Sequence, residues 1–352
     1  GAYDFLPKPF EPDHIALVVQ KALERERLQR GVEVLTEELC ERYHLVMGKS
    51  ARFNQALDLA KRAATSKSTV VLLGESGTGK EIFARAIHNW SERAGMPFVA
   101  INCVGLSREL LESELFGHER GAFTGAHQLK KGKMELGQGG TVFLDEVGDI
   151  SPELQTKLLR FLQEREFERV GGTKPIRVDV RIIAATNRDL ESTVKQGRFR
   201  EDLYHRLNVI PIVLPPLRER KEDIPALANY FLRRYSSEAK KNFDAITQEA
   251  FDKLAAYDWP GNVRELANIM ERGIVLGQGP KLTLHDLPPR ILAKEPGSSS
   301  ESLSYRKALD SFKRQLILRA LAQTQGNRAA AARDLGLQRT YLSRLIKTLR
   351  VD

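Results

Sequence analysis

The stretch Gly74-Glu75-Ser76-Gly77-Thr78-Gly79-Lys80 follows an apolar run at residues 69–73 and precedes a helical pattern at residues 82–90. In that context, the spacing Gly-x-x-x-x-Gly-Lys predicts a loop whose backbone N–H groups wrap phosphates while Lys80 reaches the outer phosphates of ATP. The next residue is Glu81, where a Ser or Thr usually supplies a hydroxyl ligand to Mg²⁺. The loop therefore predicts nucleotide binding and leaves the metal contacts open.

The surrounding sequence predicts an α/β fold. Apolar runs alternate with helical patterns, which favours a mostly parallel sheet with helices on both faces. After Pro215-Pro216 the pattern becomes wholly helical and indicates a smaller α-helical domain. The runs that predict buried strands are residues 69–73, 97–101, 141–144 and 180–185.

Polar residues at the ends of two of these strands predict the rest of a hydrolysis site. Asp145 and Glu146 follow one strand, where Asp145 would hold Mg²⁺ and Glu146 would orient or activate water. Asn187 ends another strand and could contact the γ-phosphate or the water, although a turn-forming Asn is the alternative. Arg200 and Arg206 are six residues apart, so they do not share a helix face. One would face a nucleotide and the other a neighbour, unless both are simply solvated.

Composition limits the classes of protein. Hydrophobic residues make up 41% and charged residues 29% of the 352 residues, as in globular proteins. No apolar run is long enough for a membrane span, and the first residues carry no export signal. The two cysteines cannot form a disulfide framework or a thiolate metal site. We therefore expect a cytoplasmic protein without a membrane partner.

The net charge of +9 is concentrated at the end of the chain, because residues 301–352 hold 11 Lys and Arg against 4 Asp and Glu. Such a surplus favours a polyanionic partner. Residues 328–347 fit a helix-turn-helix, with Ala332 as the small residue and Gly336 at the turn. A protein-binding helical hairpin is the alternative. The residues expected to face double-stranded DNA are Gln338, Arg339, Thr340, Ser343, Arg344 and Lys347.

Together these segments resemble the AAA+ activators of sigma-54 RNA polymerase, the family that includes nitrogen regulatory protein C. Glu81 belongs to that family's form of the phosphate loop. The most specific match is Gly121-Ala122-Phe123-Thr124-Gly125-Ala126, which is similar to the family's loop that contacts sigma-54 when the nucleotide state changes. Read from its residues alone, the segment is a glycine-flanked loop with a lone aromatic. Gly121 and Gly125 would act as hinges while Phe123 and Thr124 form an apolar tip, and a buried turn with a core Phe is the alternative.

The resemblance also implies roles for single residues. Asn102 would hydrogen-bond the catalytic Glu146 and link the state of ATP to the loop. Asp145 and Glu146 match the Walker B pair, and Asn187 matches the first sensor residue. Arg200 and Arg206 would reach the γ-phosphate of a neighbouring subunit, so that hydrolysis needs a ring. Arg264 would face the nucleotide from the helical lid.

The resemblance extends to both ends of the chain. Residues 3–10 are similar to the end of a response-regulator receiver domain, which a cognate sensor histidine kinase would phosphorylate in a longer protein. The last residues resemble a Fis-type DNA-binding domain. The expected organisation is a receiver remnant at 1–12, a linker helix or coiled coil at 13–44, an AAA+ α/β subdomain at 45–215, a helical lid at 216–290, a flexible linker at 291–303 and the Fis-type domain at 304–352.

The leading hypothesis is a sigma-54-dependent transcriptional activator that binds upstream DNA sites. It would assemble from dimers into a hexamer or heptamer and hydrolyse ATP to open the sigma-54 RNA polymerase holoenzyme complex. One alternative is an ATP-binding, DNA-binding repressor without remodelling activity. A helicase or replication loader is the other, and the loop with Phe123 argues against it.

Overall fold

The computed structural model describes residues 18–24, 26, 46, 48–292, 317, 324, 327, 330–332 and 342. The chain divides into two compact units, Gly1–Leu292 and Ala293–Asp352. The first unit contains an α/β part. Its elements are α1 (Ala51–Ala64), β1 (Val70–Leu73), α2 (Lys80–Asn89), β2 (Phe98–Asn102), α3 (Arg108–Phe116), β3 (Gly117–His118), β4 (Lys130–Lys131), α4 (Lys133–Leu136), β5 (Thr141–Asp145), α5 (Pro152–Glu164), β6 (Glu166–Glu168), β7 (Pro175–Arg177), β8 (Arg181–Thr186), α6 (Leu190–Lys195), α7 (Glu201–Leu207) and β9 (Ile210–Val213).

Five parallel strands form the central sheet, in the order β2-β5-β8-β1-β9. Successive side chains of β1 point to opposite faces, as the pleat of a strand requires. Val70 and Leu72 pack with α1 and α2 on one face, where Phe83 is buried, and Val71 belongs to the core on the other face. Both faces are therefore covered, and the predicted α/β class is confirmed.

The structure places a strand on each of the four predicted runs and adds a fifth, β9. Sequence reasoning missed β9 because Pro211 interrupts its apolar pattern. Proline lacks the N–H that a central strand must donate, and it is tolerated here because β9 lies at the edge of the sheet.

A helical part follows β9. Its core surrounds Trp259, which is fully buried and donates its indole N–H to the carbonyl of Leu254 at 2.8 Å. Its elements are α8 (Ile224–Glu238), β10 (Ala245–Ile246), α9 (Gln248–Ala256), α10 (Asn262–Leu276), β11 (Lys281–Leu282) and α11 (Pro289–Leu292). Among the described residues, no helix has both the length and the apolar character needed to cross a bilayer.

The terminal segments are described only in part. Residues 18–24 are helical, as the pattern over 13–44 predicts, and the predicted receiver remnant at 1–12 lies outside the described residues. In the second unit, Ala331, Ala332 and Leu342 are buried, as expected for packing positions of a helix-turn-helix. Gly336 and all six residues expected to face DNA lie outside the described residues: Gln338, Arg339, Thr340, Ser343, Arg344 and Lys347.

Candidate functional site

The phosphate loop runs from the end of β1 to the start of α2. Gly79 is the N-cap of α2 and has a φ of 103°, a left-handed conformation that favours glycine. Gly77 has a φ of 80°, and a Cβ there would collide with the carbonyl oxygen of Gly261. The loop thus needs glycine at Gly79 for its turn and at Gly77 for the close approach of the helical part. Its free N–H groups at the start of α2 form the geometry that binds phosphate.

Lys80 is buried inside this loop. Its Nζ donates hydrogen bonds to the carbonyl oxygens of Gly74 at 2.9 Å and Glu75 at 3.3 Å. The same nitrogen lies 3.7 Å from Oε1 of Glu146. The Lys80 ammonium group therefore lies between the phosphate loop and the carboxylate of Glu146, which is expected to orient or activate water.

Asp145 and Glu146 lie at the carboxyl end of β5, which β8 separates from β1 in the sheet. Asp145 is the last strand residue, and Glu146 has a φ of 54° that turns its side chain away from the strand direction. Glu146 Oε2 accepts a 3.0 Å hydrogen bond from the backbone N–H of Asn187 at the end of β8. Burial raises the pKa of Asp145, the nearby Glu146 carboxylate raises it further, and Lys80 opposes both. The structure thus brings Lys80, Asp145, Glu146 and Asn187 together.

Asn102 is not brought to Glu146. It pairs in register with Asp145 across β2 and β5, but its side-chain oxygen accepts from the backbone N–H of Val104 at 2.8 Å. The expected hydrogen bond to Glu146 stays a prediction, because this structure does not contain it. The physical reason is the side of β5 on which each group lies, because Asn102 is on β2 while Glu146 turns toward β8.

Glu81 lies in the first turn of α2. Its Oε1 accepts hydrogen bonds from Nε and Nη2 of Arg85, one turn further along, at 3.2 Å and 2.9 Å. The guanidinium of Arg85 also stacks over the ring of Phe98, with its central carbon 4.6 Å from the ring centroid. Glu81 is near enough to raise the pKa of Asp145, as the smallest of several contributions.

The helical part closes over the loop at the start of α10. Backbone N–H groups of Val263 and Arg264 donate to the carbonyl of Gly77 at 3.0 Å and 3.3 Å. Arg264 Nη1 donates to Ser76 Oγ at 2.9 Å. The predicted position of Arg264 in the first turn of its helix, within reach of the loop, is confirmed.

Sequence reasoning missed three residues that hold this contact. Asn262 is fully buried, its amide nitrogen donates to Glu75 and to the carbonyl of Ser76, and its oxygen accepts from Leu217 N–H at 2.8 Å. Arg218 donates to both carboxylate oxygens of Glu75, at 2.8 Å and 2.6 Å. These hydrogen bonds, led by the one from Arg218, lower the pKa of Glu75 to about 2.

Arg220 is the third missed residue. It is buried, donates to the carbonyl of Thr78 at 2.9 Å and lies 4.9 Å from the ring centroid of Phe53. Burial lowers its pKa to about 10, and Asp223 opposes that shift. The sequence signal that could have identified Arg220 is the charged run at residues 218–223, which follows Pro215-Pro216 and Leu217. Beside Arg220 an apolar pocket opens next to Thr78 and Gly79, and its apolar lining includes Val46, Phe53, Ile82, Leu227, Phe231 and Val263.

Arg200 and Arg206 lie away from the phosphate loop of their own chain. Arg200 precedes α7, is exposed, and pairs with Asp202 through hydrogen bonds of 3.0 Å and 2.7 Å. Arg206 donates to the carbonyl of Leu162 near the end of α5, at 3.2 Å and 3.4 Å. Neither guanidinium contacts the residues around Lys80.

The segment Gly121–Ala126 forms a closed loop. The N–H of Gly121 donates to the carbonyl of Ala126 at 2.8 Å, and the N–H of Ala126 donates to the carbonyl of Phe123 at 3.0 Å. Phe123 is half-buried against His118, with ring centroids 5.0 Å apart. The predicted apolar tip is therefore partly covered at Phe123, while Thr124 is exposed.

Among the residues described, no cluster of three His, Cys, Asp or Glu side chains suits a metal ion. Mg²⁺ at a nucleotide site is usually held by one or two carboxylates together with phosphate oxygens. Asp145 and Glu146 supply that number at the strand end, so the residues present fit a magnesium ion that arrives with a nucleotide.

Comparison with known proteins places these sites in a family. Residues 46–213 match the family model described as a sigma-54 interaction domain, and residues 218–304 match an AAA+ ATPase lid domain. Residues 308–348 match the bacterial regulatory protein, Fis family. The three matches cover the phosphate loop, the contact through Arg264 and the basic end of the chain.

Individual relatives are similar over nearly the whole chain. The chain is 45% identical to regulatory protein AtoC of Escherichia coli (strain K12) over 363 aligned residues, covering 100% of this chain and 78% of AtoC. It is 42% identical to DNA-binding transcriptional regulator NtrC of Proteus hauseri, covering 100% of this chain and 79% of that protein. A crystal structure of NtrX from Brucella abortus in complex with ATP matches with a TM-score of 0.74 and 39% identity, covering 99% of this chain and 78% of that one.

The geometry of the nucleotide site, the loop Gly121–Ala126 and the similarity to these relatives all indicate the same family. The chain belongs to the NtrC family of sigma-54-dependent transcriptional activators, which are AAA+ ATPases with a Fis-type DNA-binding domain.

Proposed function

We propose that this activator uses ATP hydrolysis to drive the loop Gly121–Ala126 against sigma-54 and so convert the closed promoter complex into an open one. The observation that carries the proposal is the path from the hydrolysis site to the loop. Asn102 pairs in register with Asp145, and the chain then runs through α3 into β3, whose end leads to the loop. A displacement at the end of β5 therefore has a short, packed route to Phe123.

Each site residue has a role in this proposal. Loop N–H groups and Lys80 bind the phosphates, Arg264 contacts the nucleotide from the lid, and Asn187 senses the γ-phosphate. Asp145 and Glu146 would hold Mg²⁺, which would supply positive charge next to the phosphates, and Glu146 would also activate water. The apolar pocket beside Gly79 takes the adenine base, because it is apolar and adjoins the phosphate-binding N-terminus of α2.

Asn102 keeps a part in signalling under this proposal, although it does not bond Glu146 here. Its exposed side chain bonds Val104 N–H at the start of the segment leading to α3. Exchange of that bond for one to Glu146, when a γ-phosphate displaces Glu146 from Lys80, would couple hydrolysis to the loop.

Arg200 and Arg206 act between subunits in this proposal. Both lie away from the nucleotide loop of their own chain, on or beside α7, which supports a role at a neighbour's site. A closed ring, hexameric or heptameric and assembled from dimers, would give every nucleotide a pair of arginines from the next subunit.

The remaining partners follow from the ends of the chain. We propose that the Fis-type domain at 304–352 binds upstream activator sites, that 45–215 and 216–290 form the motor and its lid, and that 13–44 and 291–303 are linkers. In the full-length protein, a sensor histidine kinase would control the receiver domain. The polymerase and chromosomal DNA place this activity in the cytoplasm.

One experiment tests the central step. Phe123→Ala should keep ATPase activity and lose open-complex formation at a sigma-54 promoter. Leu129→Ala is the matched control, since Leu129 is an exposed apolar residue close to the same loop. Normal open-complex formation by Phe123→Ala would overturn the remodelling assignment and favour an ATP-binding repressor.

Deletion of residues 303–352 should separately remove site-specific DNA binding and leave the ATPase activity. Retained operator binding would overturn the assignment of DNA binding to that segment.

A further inference from the structure

His118 lies directly beneath the loop and is held in place on two sides. Its backbone belongs to β3, which pairs with β4 on one side and bridges to Val170 on the other. The N–H of Val170 donates to the carbonyl of Gly117 at 3.0 Å, and the N–H of Glu119 donates to the carbonyl of Val170 at 3.0 Å. The residue can shift only if these neighbours shift.

The His118 ring is also fixed. It is 9% exposed, and its Nδ1 lies 2.7 Å from Oγ of Ser113, a buried residue on α3. The edge-to-face contact with Phe123 has an interplanar angle of 71° and a centroid distance of 5.0 Å. A buried serine therefore orients a buried histidine, and the histidine ring receives the half-buried aromatic ring of the loop.

This contact covers part of the side chain that the proposed function requires to reach sigma-54. The backbone hydrogen bonds of Gly121–Ala126 are internal to the loop or join it to Glu119 and His127, so they keep the loop compact and hold its two ends. The His118 ring is a contact made by the side chain of Phe123 itself. Aromatic pairs of this geometry are favourable beyond the area that they bury.

We propose that His118 is a positioning residue that holds the Phe123 ring against the domain, an arrangement that we call stowed. Separation of the two rings then accompanies engagement of sigma-54. The inference rests on the proposed function of the loop. The movement that separates the two rings originates in α3. Ser113 on that helix orients the His118 ring, and the helix connects β2 at the nucleotide site to β3. A small movement of α3 would therefore shift the ring against which Phe123 packs.

Two variants separate the ring from its orientation. His118→Asn removes the ring and keeps an amide that can bond Ser113, whereas His118→Phe keeps a ring for Phe123 and loses the bond. If the stowed state dominates without nucleotide, removing the ring should raise the competent fraction, and so the affinity for sigma-54, about two- to tenfold. Without nucleotide, His118→Phe should stay near the wild type, because it keeps a ring against which Phe123 can pack.

The first measurement is independent of sigma-54. Hydrogen–deuterium exchange of a peptide spanning residues 121–127 should be faster in His118→Asn than in the wild type and His118→Phe. The second is the affinity for purified sigma-54, without nucleotide and with ADP–aluminium fluoride, where His118→Asn should lose most of the nucleotide dependence. ATPase activity and thermal unfolding of each variant show that the domain remains folded.

The outcomes are distinct. Unchanged exchange and unchanged nucleotide dependence in a folded His118→Asn would overturn the positioning role. Faster exchange with no binding of sigma-54 by the wild type in either nucleotide condition would instead overturn the proposed function of the loop. Equal effects in His118→Asn and His118→Phe would also contradict the proposal, because they would show that the ring contact is not what matters.

Discussion

The backbone N–H of Asn187 donates a 3.0 Å hydrogen bond to Oε2 of Glu146, while Oε1 of the same carboxylate lies 3.7 Å from Nζ of Lys80. Glu146 is thus held between the ends of two strands and the phosphate loop. A γ-phosphate bound to Lys80 competes with that carboxylate for the same ammonium group. Binding of ATP and placement of Glu146 are therefore physically linked.

The first prediction concerns the charge on Glu146. Glu146→Gln keeps an oxygen that can accept from Asn187 but cannot take a proton from water. ATP should bind with nearly normal affinity, and hydrolysis should fall by about 10²- to 10⁴-fold, the usual contribution of a general base. Nucleotide binding by fluorescence and steady-state phosphate release measure the two effects. Glu164→Gln is the control, since Glu164 pairs with Arg160 outside the site, and near-normal turnover by Glu146→Gln would sink the assignment.

The second prediction concerns Asn262, which is fully buried with a φ of 52°. Asn262→Ala should destabilise the protein by about 2–4 kcal/mol, because it leaves the buried N–H of Leu217 without an acceptor and strains a left-handed residue. Asn262→Gly relieves the backbone strain but does not restore the hydrogen bonds. Its stability should therefore lie between those of Asn262→Ala and the wild type. Asn262→Asp keeps the acceptor for Leu217, but it replaces the donor to Glu75 and Ser76 with a buried carboxylate, so it should be no more stable than Asn262→Ala. Urea unfolding ranks the three variants, and an Ala variant as stable as the wild type would contradict the role.

These missed residues show what sequence patterns can and cannot give. The strand β1, the loop Gly74–Lys80 and the carboxylates after β5 are local patterns, so they were predictable from spacing and hydrophobicity. Asn262 contacts residues that are 45 to 187 positions away in sequence, and only the packed fold brings them together. The direction of Glu146 was likewise unpredictable, because it depends on a left-handed backbone that no residue type at that position signals.

The third prediction is a pH dependence at the phosphate loop. Arg218 lowers the pKa of Glu75 to about 2, from a model-peptide value of 4.5. A lowered folded-state pKa stabilises the protein above about pH 4.5, and this contribution is lost as pH falls toward 2. Both side chains are partly exposed, at 41% and 43%, so solvent screening limits the contribution to about 1 kcal/mol or less.

Arg218→Gln tests this prediction. The difference between the melting temperatures of the wild type and the variant should be constant above about pH 5 and shrink as the pH is lowered from about 4.5 toward 2. Lys221→Gln is the control, because Lys221 pairs with Asp258 at 3.4 Å and does not contact the loop. A difference in melting temperature that stays constant from pH 5 down to about pH 2 would show that Glu75 and Arg218 are not coupled.

The fourth prediction concerns Arg169, which ties the turn after β6 to the base of the loop. Its guanidinium pairs with Glu119 at 2.8 Å and, through two nitrogens, with Glu135 at 2.8 Å and 2.9 Å. Arg169→Met keeps much of the aliphatic stem and leaves both carboxylates unpaired. Charge-assisted bonds of this kind justify an expected loss in open-complex formation of roughly an order of magnitude.

ATP affinity should change little in Arg169→Met, because Arg169 does not contact the residues around Lys80. Arg177→Met is the matched control, since Arg177 lies on the partner strand β7 and its side chain is 86% exposed. Filter binding of ATP and promoter opening are measured on the same preparations. Equal opening by the two variants would indicate that the ion pairs at Arg169 do not position the loop.

The last prediction tests whether Arg200 acts on a neighbouring subunit. Arg200→Ala and Lys80→Ala should each reduce ATPase activity by at least about 10³-fold when assayed alone, since an arginine finger contributes that much. In a mixture, an Arg200→Ala subunit supplies an intact phosphate loop and an adjacent Lys80→Ala subunit supplies the intact arginine. With random assembly, about one interface in four has this composition, so roughly a quarter of wild-type activity should return.

Arg198→Ala, an exposed arginine two residues earlier, is the control and should be active alone. Sedimentation confirms that the mixture assembles. If assembled mixtures stay inactive, Arg200 does not complete a neighbour's site, and the same mixing test with Arg206→Ala decides whether the second arginine does.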